Sequence, residues 1–264
     1  MGNLLAVDVG NSNVTIGAFE DNRLIATWRF ATDARRTADE HNLLLQGMLS
    51  SKDVSPSDFP ASVMCSVVPP LTGAVETALT EMLGTSPMVV GPGTRTGIKI
   101  NYNRPQDVGT DRIADAVAAY RLYGGPCIIV DIGTATVFDA ISKDAEYLGG
   151  AIAPGMTLAA EALYRGTSQL RRVDLQAPEN AIGRNTTDAM RSGLVFGYVG
   201  LVEGMVSRFA AELSPDDPSA CRVIGTGGLA RVVAAQSDVL QEVNEDLTLV
   251  GLRMLFELNS GDQP

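Results

Sequence analysis

The chain has 264 residues, 20 of them basic and 31 acidic, for a formal net charge of −11. That balance argues against nucleic acid or an anionic membrane as partner, because both need a cationic surface. A composition of 45% hydrophobic and 19% charged residues is globular, and the length suits one large or two smaller domains around a real core.

Leu4 to Asp8 reads as a short buried strand that breaks at Gly10, Asn11, Ser12 and Asn13 and resumes with Val14, Ile16 and Ala18 in alternation. A helix is expected from 37 to 49, with Leu43, Leu44 and Met48 on its apolar face, and a strand from Val63 to Val68. Next come a helix from about Thr72 to Leu83, a strand at Met88 to Val90 and a Gly/Pro-rich loop from Gly91 to Gly97. Asp111 to Tyr123 has helical periodicity and stops at Gly124, Gly125 and Pro126. Cys127 to Asp131 opens a second strand-turn-strand, continued by Val137 to Ile141. Gly149 to Gly155 reads as a turn of small residues, and Leu158 to Tyr164 as a helix. Asn185 to Phe209 is a long apolar helix expected to be buried on most sides, with part of its surface pairing with a second copy of the chain. A strand at Arg222 to Ile224, a Gly-rich turn, a further helix and an amphipathic helix from Leu247 to Leu258 complete the chain.

Three widely separated cysteines, Cys65, Cys127 and Cys221, form no C-x-x-C pair, which argues against a disulfide framework or a zinc site and fits a reducing cytoplasm. With His41 the only histidine, a Ser-His-Asp triad built within one chain and any multi-histidine metal site are not expected, and its polar surroundings suggest a surface position. Neither a basic-apolar leader nor an uninterrupted apolar run of about 18 residues is evident, so export and membrane insertion are not expected.

The strongest organising signal is internal. Ala6 to Val14 aligns with Ile129 to Val137, sharing Val, Asp, Gly and Val, with small polar residues in both turns and an offset close to half the chain. This predicts an α/β fold of two duplicated domains, 1–112 and 113–264, with a cleft between them. Turns of this kind direct backbone N–H groups and short polar side chains at one point, as suits phosphate oxygens. No Walker A loop occurs, and the lysines, Lys52, Lys99 and Lys143, all lie outside the turns, so amides and a divalent cation would have to balance phosphate charge. Asp8 and Asp131, each at a strand end, supply hard oxygen suited to Mg²⁺ or, alternatively, cap their own turns. Asp111, at a helix start beside Arg112, is either an N-cap or a general base.

The chain resembles the type III pantothenate kinases, which share their fold with sugar kinases and actin-like ATPases. The matching segments run from Asp8 to Asn13, Cys65 to Leu71, Val90 to Gly93, Gly109 to Arg112, Asp131 to Thr136, Tyr147 to Gly155, Ile182 to Thr186, Gly193 to Gly200 and Thr226 to Ala230. The resemblance implies a ribonuclease H-like duplicated fold and ATP-dependent phosphorylation of pantothenate, the first step of coenzyme A synthesis, by a cytoplasmic homodimer. It implies that ATP phosphates are bound by Asp8, Val9, Gly10, Asn11, Ser12, Asn13, Val14 and Thr15, with a nucleotide contact at Thr134 and Asp8 near Mg²⁺. It further implies pantothenate contacts at Tyr102, Gly109, Thr110, Asp111, Arg112 and Thr186, with Asp111 as base. Asp131 matches the family's monovalent-cation ligand, which moves its expected ion from Mg²⁺ to K⁺ or NH₄⁺. Since fold and ATP turns do not fix the acceptor, another small-molecule kinase or a nucleotide-binding accessory protein are the rival readings.

Overall fold

The computed structural model describes residues 2–261. They divide into two compact units, the first drawn from residues 2–97, 106–118 and 248–261, the second from Ile98–Pro105 and Ala119–Leu247.

The first unit is built on a five-stranded sheet in the order β3-β2-β1-β4-β5. Its strands are β1 (Leu4–Val9), β2 (Asn13–Glu20), β3 (Arg23–Ala31), β4 (Ala61–Ser66) and β5 (Met88–Val89). β1 pairs antiparallel with β2 and parallel with β4. One face carries Leu5, Val7, Val9, Val14, Ile16, Trp28 and Met64 into a core shared with α1 (Ala38–Ser50) and α2 (Pro69–Leu83). α1 starts at a capping box in which Thr37 and Glu40 exchange hydrogen bonds, and α2 starts on Pro69 and Pro70 and stops at Gly84 in a left-handed conformation. α3 (Thr110–Tyr123) contributes its first turns to this unit, and the C-terminal helix α7 (Leu247–Ser260) packs against it so closely that a Cβ on Gly251 would collide with the Ala114 carbonyl. Thr248 Oγ1 donates to Asp115 Oδ1 at 2.7 Å across the same pair of helices.

Three features of this unit differ from the sequence expectation. β3 is a strand beyond those expected from the sequence. The buried face of α1 is His41, Leu45 and Leu49, four residues apart, while Leu43 is 73% exposed. His41 is therefore no surface residue: it is fully buried beside Phe30, at 5.8 Å between ring centroids, with neither ring nitrogen hydrogen-bonded.

The second unit holds a six-stranded sheet, β11-β10-β7-β8-β9-β6. These are β6 (Lys99–Ile100), β7 (Cys127–Ile132), β8 (Ala135–Ile141), β9 (Glu146–Pro154), β10 (Arg222–Thr226) and β11 (Glu242–Val243). Read from the other edge, its order after β6 is β9-β8-β7-β10-β11, which repeats that of the first sheet strand for strand. β7 pairs antiparallel with β8 and parallel with β10, as β1 does with β2 and β4. The duplication read from the two Asp-x-Gly turns thus extends to whole sheets, and the fold is the duplicated α/β architecture.

The remaining helices are α4 (Met156–Gly166), α5 (Thr186–Leu213) and α6 (Ala230–Ala234). The segment expected as a turn, 149–155, is mostly the strand β9: its small residues sit where the ladder with β8 comes so close that a Cβ on Gly150 would collide with the Phe138 carbonyl. α5 is long and apolar enough to cross a membrane by length and composition. Here it lays one stripe, Met190, Leu194, Val195, Val199, Val202, Val206 and Ala210, into the unit, with Val199 to Ala210 sharing a core with Ile128, Val130 and Phe138. It is not buried on most sides: Gly193, Gly197, Gly200 and Leu201 are exposed along its other faces.

Candidate active site

In the first unit the turn between β1 and β2 is closed by Gly10 N–H donating to Asn13 O at 3.0 Å. The end of β3 braces it, because Thr32 donates through its amide to Ser12 O at 3.0 Å and through its hydroxyl to Gly10 O at 2.7 Å. The predicted phosphate turn, Asp8 to Thr15, is therefore tied from both sides before any ligand arrives.

Asp8, one residue before the end of β1, lies opposite Cys65 of β4 in the parallel register. The buried Cys65 thiol donates to Asp8 Oδ1 at 3.3 Å. Burial, then the charge of Asp111, push the Asp8 carboxyl up from 3.8 to about 7, opposed by the Cys65 hydrogen bond and by the Arg29 guanidinium. The Cys65 thiol is held well above its ordinary value, by burial first and Asp8 second, so it stays a neutral donor. Asp111, second residue of α3, is also raised by burial, against the Arg112 backbone N–H, which donates to Asp111 Oδ1 at 2.8 Å, and the Arg112 charge. Gly109 is required on steric grounds, since a Cβ there would collide with Asp111 Oδ1. Thr110 Oγ1 makes a long contact, 3.5 Å, to Ser66 O and so ties the start of α3 to the end of β4. Asp8, Cys65, Asp111 and the Gly109–Arg112 segment thus form one electrostatically linked cluster.

The second unit carries its counterpart. Asp131 near the end of β7 pairs with Val137 on β8 and with Thr226 on β10. Gly133 N–H donates to Ala135 O, Gly155 N–H to Thr134 O and Leu229 N–H to Ile132 O, each at 3.0 Å, so three loops converge at this strand end. Gly227, at φ +83°, packs so close to Asp131 that a Cβ there would collide with Asp131 Oδ1. Tyr102 belongs to this unit but stands apart from Asp131 in the sequence-predicted set: its ring packs on that of Tyr147, 6.2 Å between centroids, and against Gly149. Thr186 is the first residue of α5, exposed, next to the Asn185 cap that accepts from Asp188 N–H.

A cavity of about 650 Å³ in the first unit is lined by Pro60, Ala61, Met88 and Phe256 and by Pro92 and Gly93 of the Val90–Gly93 segment, but by none of the residues expected to bind ATP or pantothenate. Sequence reasoning overlooked Arg29 and any role for the Cys65 thiol. The signal for Arg29 lay in the alternation of Leu24, Ala26, Trp28 and Phe30, which puts it on the opposite face.

Among the described residues no three His, Cys, Asp or Glu side chains are grouped as an all-protein metal cage. The donors present are hard carboxylate oxygens. The Asp8 carboxylate, whose repulsion by Asp111 a cation would relieve, fits Mg²⁺ completed by phosphate and water. The Asp131 carboxylate, at the strand end where these loops meet, suits a cation that prefers oxygen.

A duplicated α/β fold with an Asp-x-Gly turn in each half is the architecture of the sugar kinase and actin-like fold class. Solved structures match at fold level. They include a Baf-family protein from Campylobacter jejuni (TM-score 0.62, 20% identical, 97% of this chain and 98% of that one) and a polyphosphate/ATP-glucomannokinase from Arthrobacter sp. (TM-score 0.52, 14% identical, 98% and 99%). The chain belongs to the type III pantothenate kinase family, whose profile matches residues 4–208. It is 46% identical over 256 residues to the type III pantothenate kinase of Dehalococcoides mccartyi strain CBDB1, covering 97% of this chain and 96% of that one. It is equally identical to that of Geobacter sulfurreducens, covering 97% and 99%.

Proposed function

We propose that this chain phosphorylates pantothenate with ATP, and that Asp111 is the base that orients and deprotonates the acceptor hydroxyl. The observation that carries this reading is the Asp111 carboxylate itself, desolvated, fixed by the Arg112 N–H, and raised above its ordinary value. A carboxylate so raised is a better proton acceptor, while Gly109 leaves room for it to hold one position.

In this mechanism the hydroxyl oxygen forms a bond to the γ-phosphorus as the bond to the ADP oxygen breaks, and the hydroxyl proton passes to Asp111. Turn amides of residues 11–13 stabilise the charge spread over the transferred group, and positioning supplies most of the acceleration. Mg²⁺ at Asp8 would supply neutralisation of phosphate charge, and a monovalent cation at Asp131, K⁺ or NH₄⁺, would do the same for the nucleotide contact at Thr134. Tyr102, Gly109, Thr110, Arg112 and Thr186 are assigned to pantothenate. Arg112 and the helix start suit its carboxylate.

A homodimer is supported by α5, where Gly193, Gly197 and Gly200 recur at helical spacing on a face with nothing within 4 Å of their Cβ positions and Leu201 exposed beside them. The acidic charge and the reduced cysteines favour action in the cytoplasm, apart from nucleic acid and membrane. The deciding experiment measures ADP release with pantothenate, with sugars, glycerol or acetate, and with no acceptor. Release confined to pantothenate supports the reading; turnover without phosphorylated product overturns it. Light scattering at micromolar concentration tests the dimer, and a monomeric mass refutes it.

A further inference from the structure

The line of residues that crosses the first sheet at Asp8 does not end there. Asp8 pairs with Cys65 on β4 and with Thr15 on β2, and Thr15 pairs in turn with Arg29 on β3. Residues directly opposite one another on neighbouring strands share a face. The adjacent row, Met64, Val7, Ile16 and Trp28, lies wholly in the core under α1 and α2. Cys65, Asp8, Thr15 and Arg29 therefore line up on the opposite face, along the edge of the phosphate turn.

Three observations give Arg29 a task. Its backbone is two strand spacings from that of Asp8, about 10 Å, and its charge is felt at the Asp8 carboxylate. Its own side chain is exposed while its backbone is locked to the turn through the β2–β3 ladder and the two Thr32 bonds. Finally, lysine is missing from the turns: Lys52 is occupied with the Thr27 carbonyl and the Trp28 ring, and Lys99 pairs with Glu146 in the second unit. A site that must hold a polyphosphate thus has, on the row of Asp8, a cation with a fixed backbone and a side chain open to solvent.

We propose that Arg29 is a phosphate-contacting residue of the nucleotide site, its guanidinium fork taking terminal phosphate oxygens of ATP beside the β1–β2 turn. A planar fork with fixed donors suits phosphate better than a lysine at the same place. The assignment rests on the reading of residues 8–15 as the phosphate turn.

The test is calorimetric binding of the non-hydrolysable analogue adenylyl imidodiphosphate, and of adenosine, to the wild-type chain and to Arg29→Gln and Arg29→Lys, with Mg²⁺ and with EDTA. Loss of a charge-assisted bond should weaken binding of the analogue about 10- to 100-fold in Arg29→Gln. Adenosine affinity and the KM for pantothenate should stay within about twofold, and Arg29→Lys should recover part of the loss. The weakening should persist in EDTA, which separates a direct phosphate contact from an effect relayed through a metal at Asp8. Binding of the analogue within twofold of wild type in Arg29→Gln, equal loss for adenosine, or a loss that vanishes in EDTA overturns the proposal. Failure of the wild-type chain to bind the analogue overturns the phosphate turn itself, whatever Arg29 does. Melting temperatures of the variants within a few degrees of wild type exclude misfolding as the cause of any loss.

Discussion

Asp8 and Cys65 face each other across β1 and β4, and the buried thiol donates to the carboxylate at 3.3 Å, a weak donor where a strong one would hold the charge better. With burial and Asp111 acting in the other direction, the Asp8 carboxyl rises to about 7. An acid whose folded value exceeds its unfolded one binds more protons when folded, so stability falls as pH climbs from about 4 to about 7 and is level above that. Asp8→Asn should therefore stabilise the metal-free protein at pH 8 by about 1–3 kcal/mol, while abolishing activity. Urea denaturation at pH 4 and pH 8 checks it: the gain should be present at pH 8 and small at pH 4. A variant less stable than wild type at pH 8 would sink the account.

Asp111 is the second carboxylate of the cluster, and its predicted role gives a rate rather than a stability. Asp111→Asn keeps the shape and loses the proton acceptor, so kcat should fall by roughly 10²- to 10⁴-fold, with the KM for ATP changed only a few-fold. Gly109→Ala should lower kcat with Asp111 still in place, because the new Cβ collides with Asp111 Oδ1. Steady-state kinetics on both variants decide the matter. Wild-type turnover by either would remove Asp111 as base or Gly109 as its support.

His41 carries a prediction about pH in the opposite sense. Its pKa is lowered, by burial first and the Arg36 charge second, and its ring nitrogens have no partners. A base depressed on folding stays neutral in the native state, so its contribution is intact above pH 6.5 and is lost as pH falls from there through the lowered folded value. Replacing it by Leu, which fills a similar apolar slot between Phe30 and Leu45, should flatten stability between pH 7 and pH 5. Equal slopes for wild type and His41→Leu in denaturation at several pH values would show that the ring is not the titrating group.

The parts of this fold legible in the sequence are those where one residue type has one structural meaning. The apolar runs of β1 and β7, each ending in Asp-x-Gly, could be read because a buried strand and a tight polar turn leave such a trace, and their repetition exposed the duplication. β9 was hidden because Gly149, Gly150, Ala151 and Ala153 have little intrinsic strand preference. Gly150 is small because the Phe138 carbonyl of β8 lies against it, and Gly149 because the Tyr102 ring does, tertiary causes with no local sign. His41 misled for the same reason: polar by type, it occupies a core position set by Leu45 and Leu49 four and eight residues on. The cluster of Asp8 with Asp111 was legible only as two separate carboxylates. Their coupling through burial, and the presence of Cys65 and Arg29 on the same row, depend on strand register.

Gly227 offers a way to test the cation assigned to Asp131 without touching the carboxylate. It holds φ +83°, costly for any residue with a Cβ, and that Cβ would collide with Asp131 Oδ1. Gly227→Ala should displace the carboxylate and raise the K⁺ concentration for half-maximal activity by roughly tenfold, the equivalent of about 1.4 kcal/mol. A cation that binds only the folded chain also raises its melting temperature, so the wild-type protein should be stabilised by K⁺ over Na⁺ and the variant much less so. This second readout separates a lost cation from a damaged active site, since inactivity alone would fit either. If K⁺ and Na⁺ stabilise the wild-type chain equally, and activity survives removal of K⁺, Asp131 holds no monovalent cation and its carboxylate serves only to order the loops at Gly133, Gly155 and Gly227.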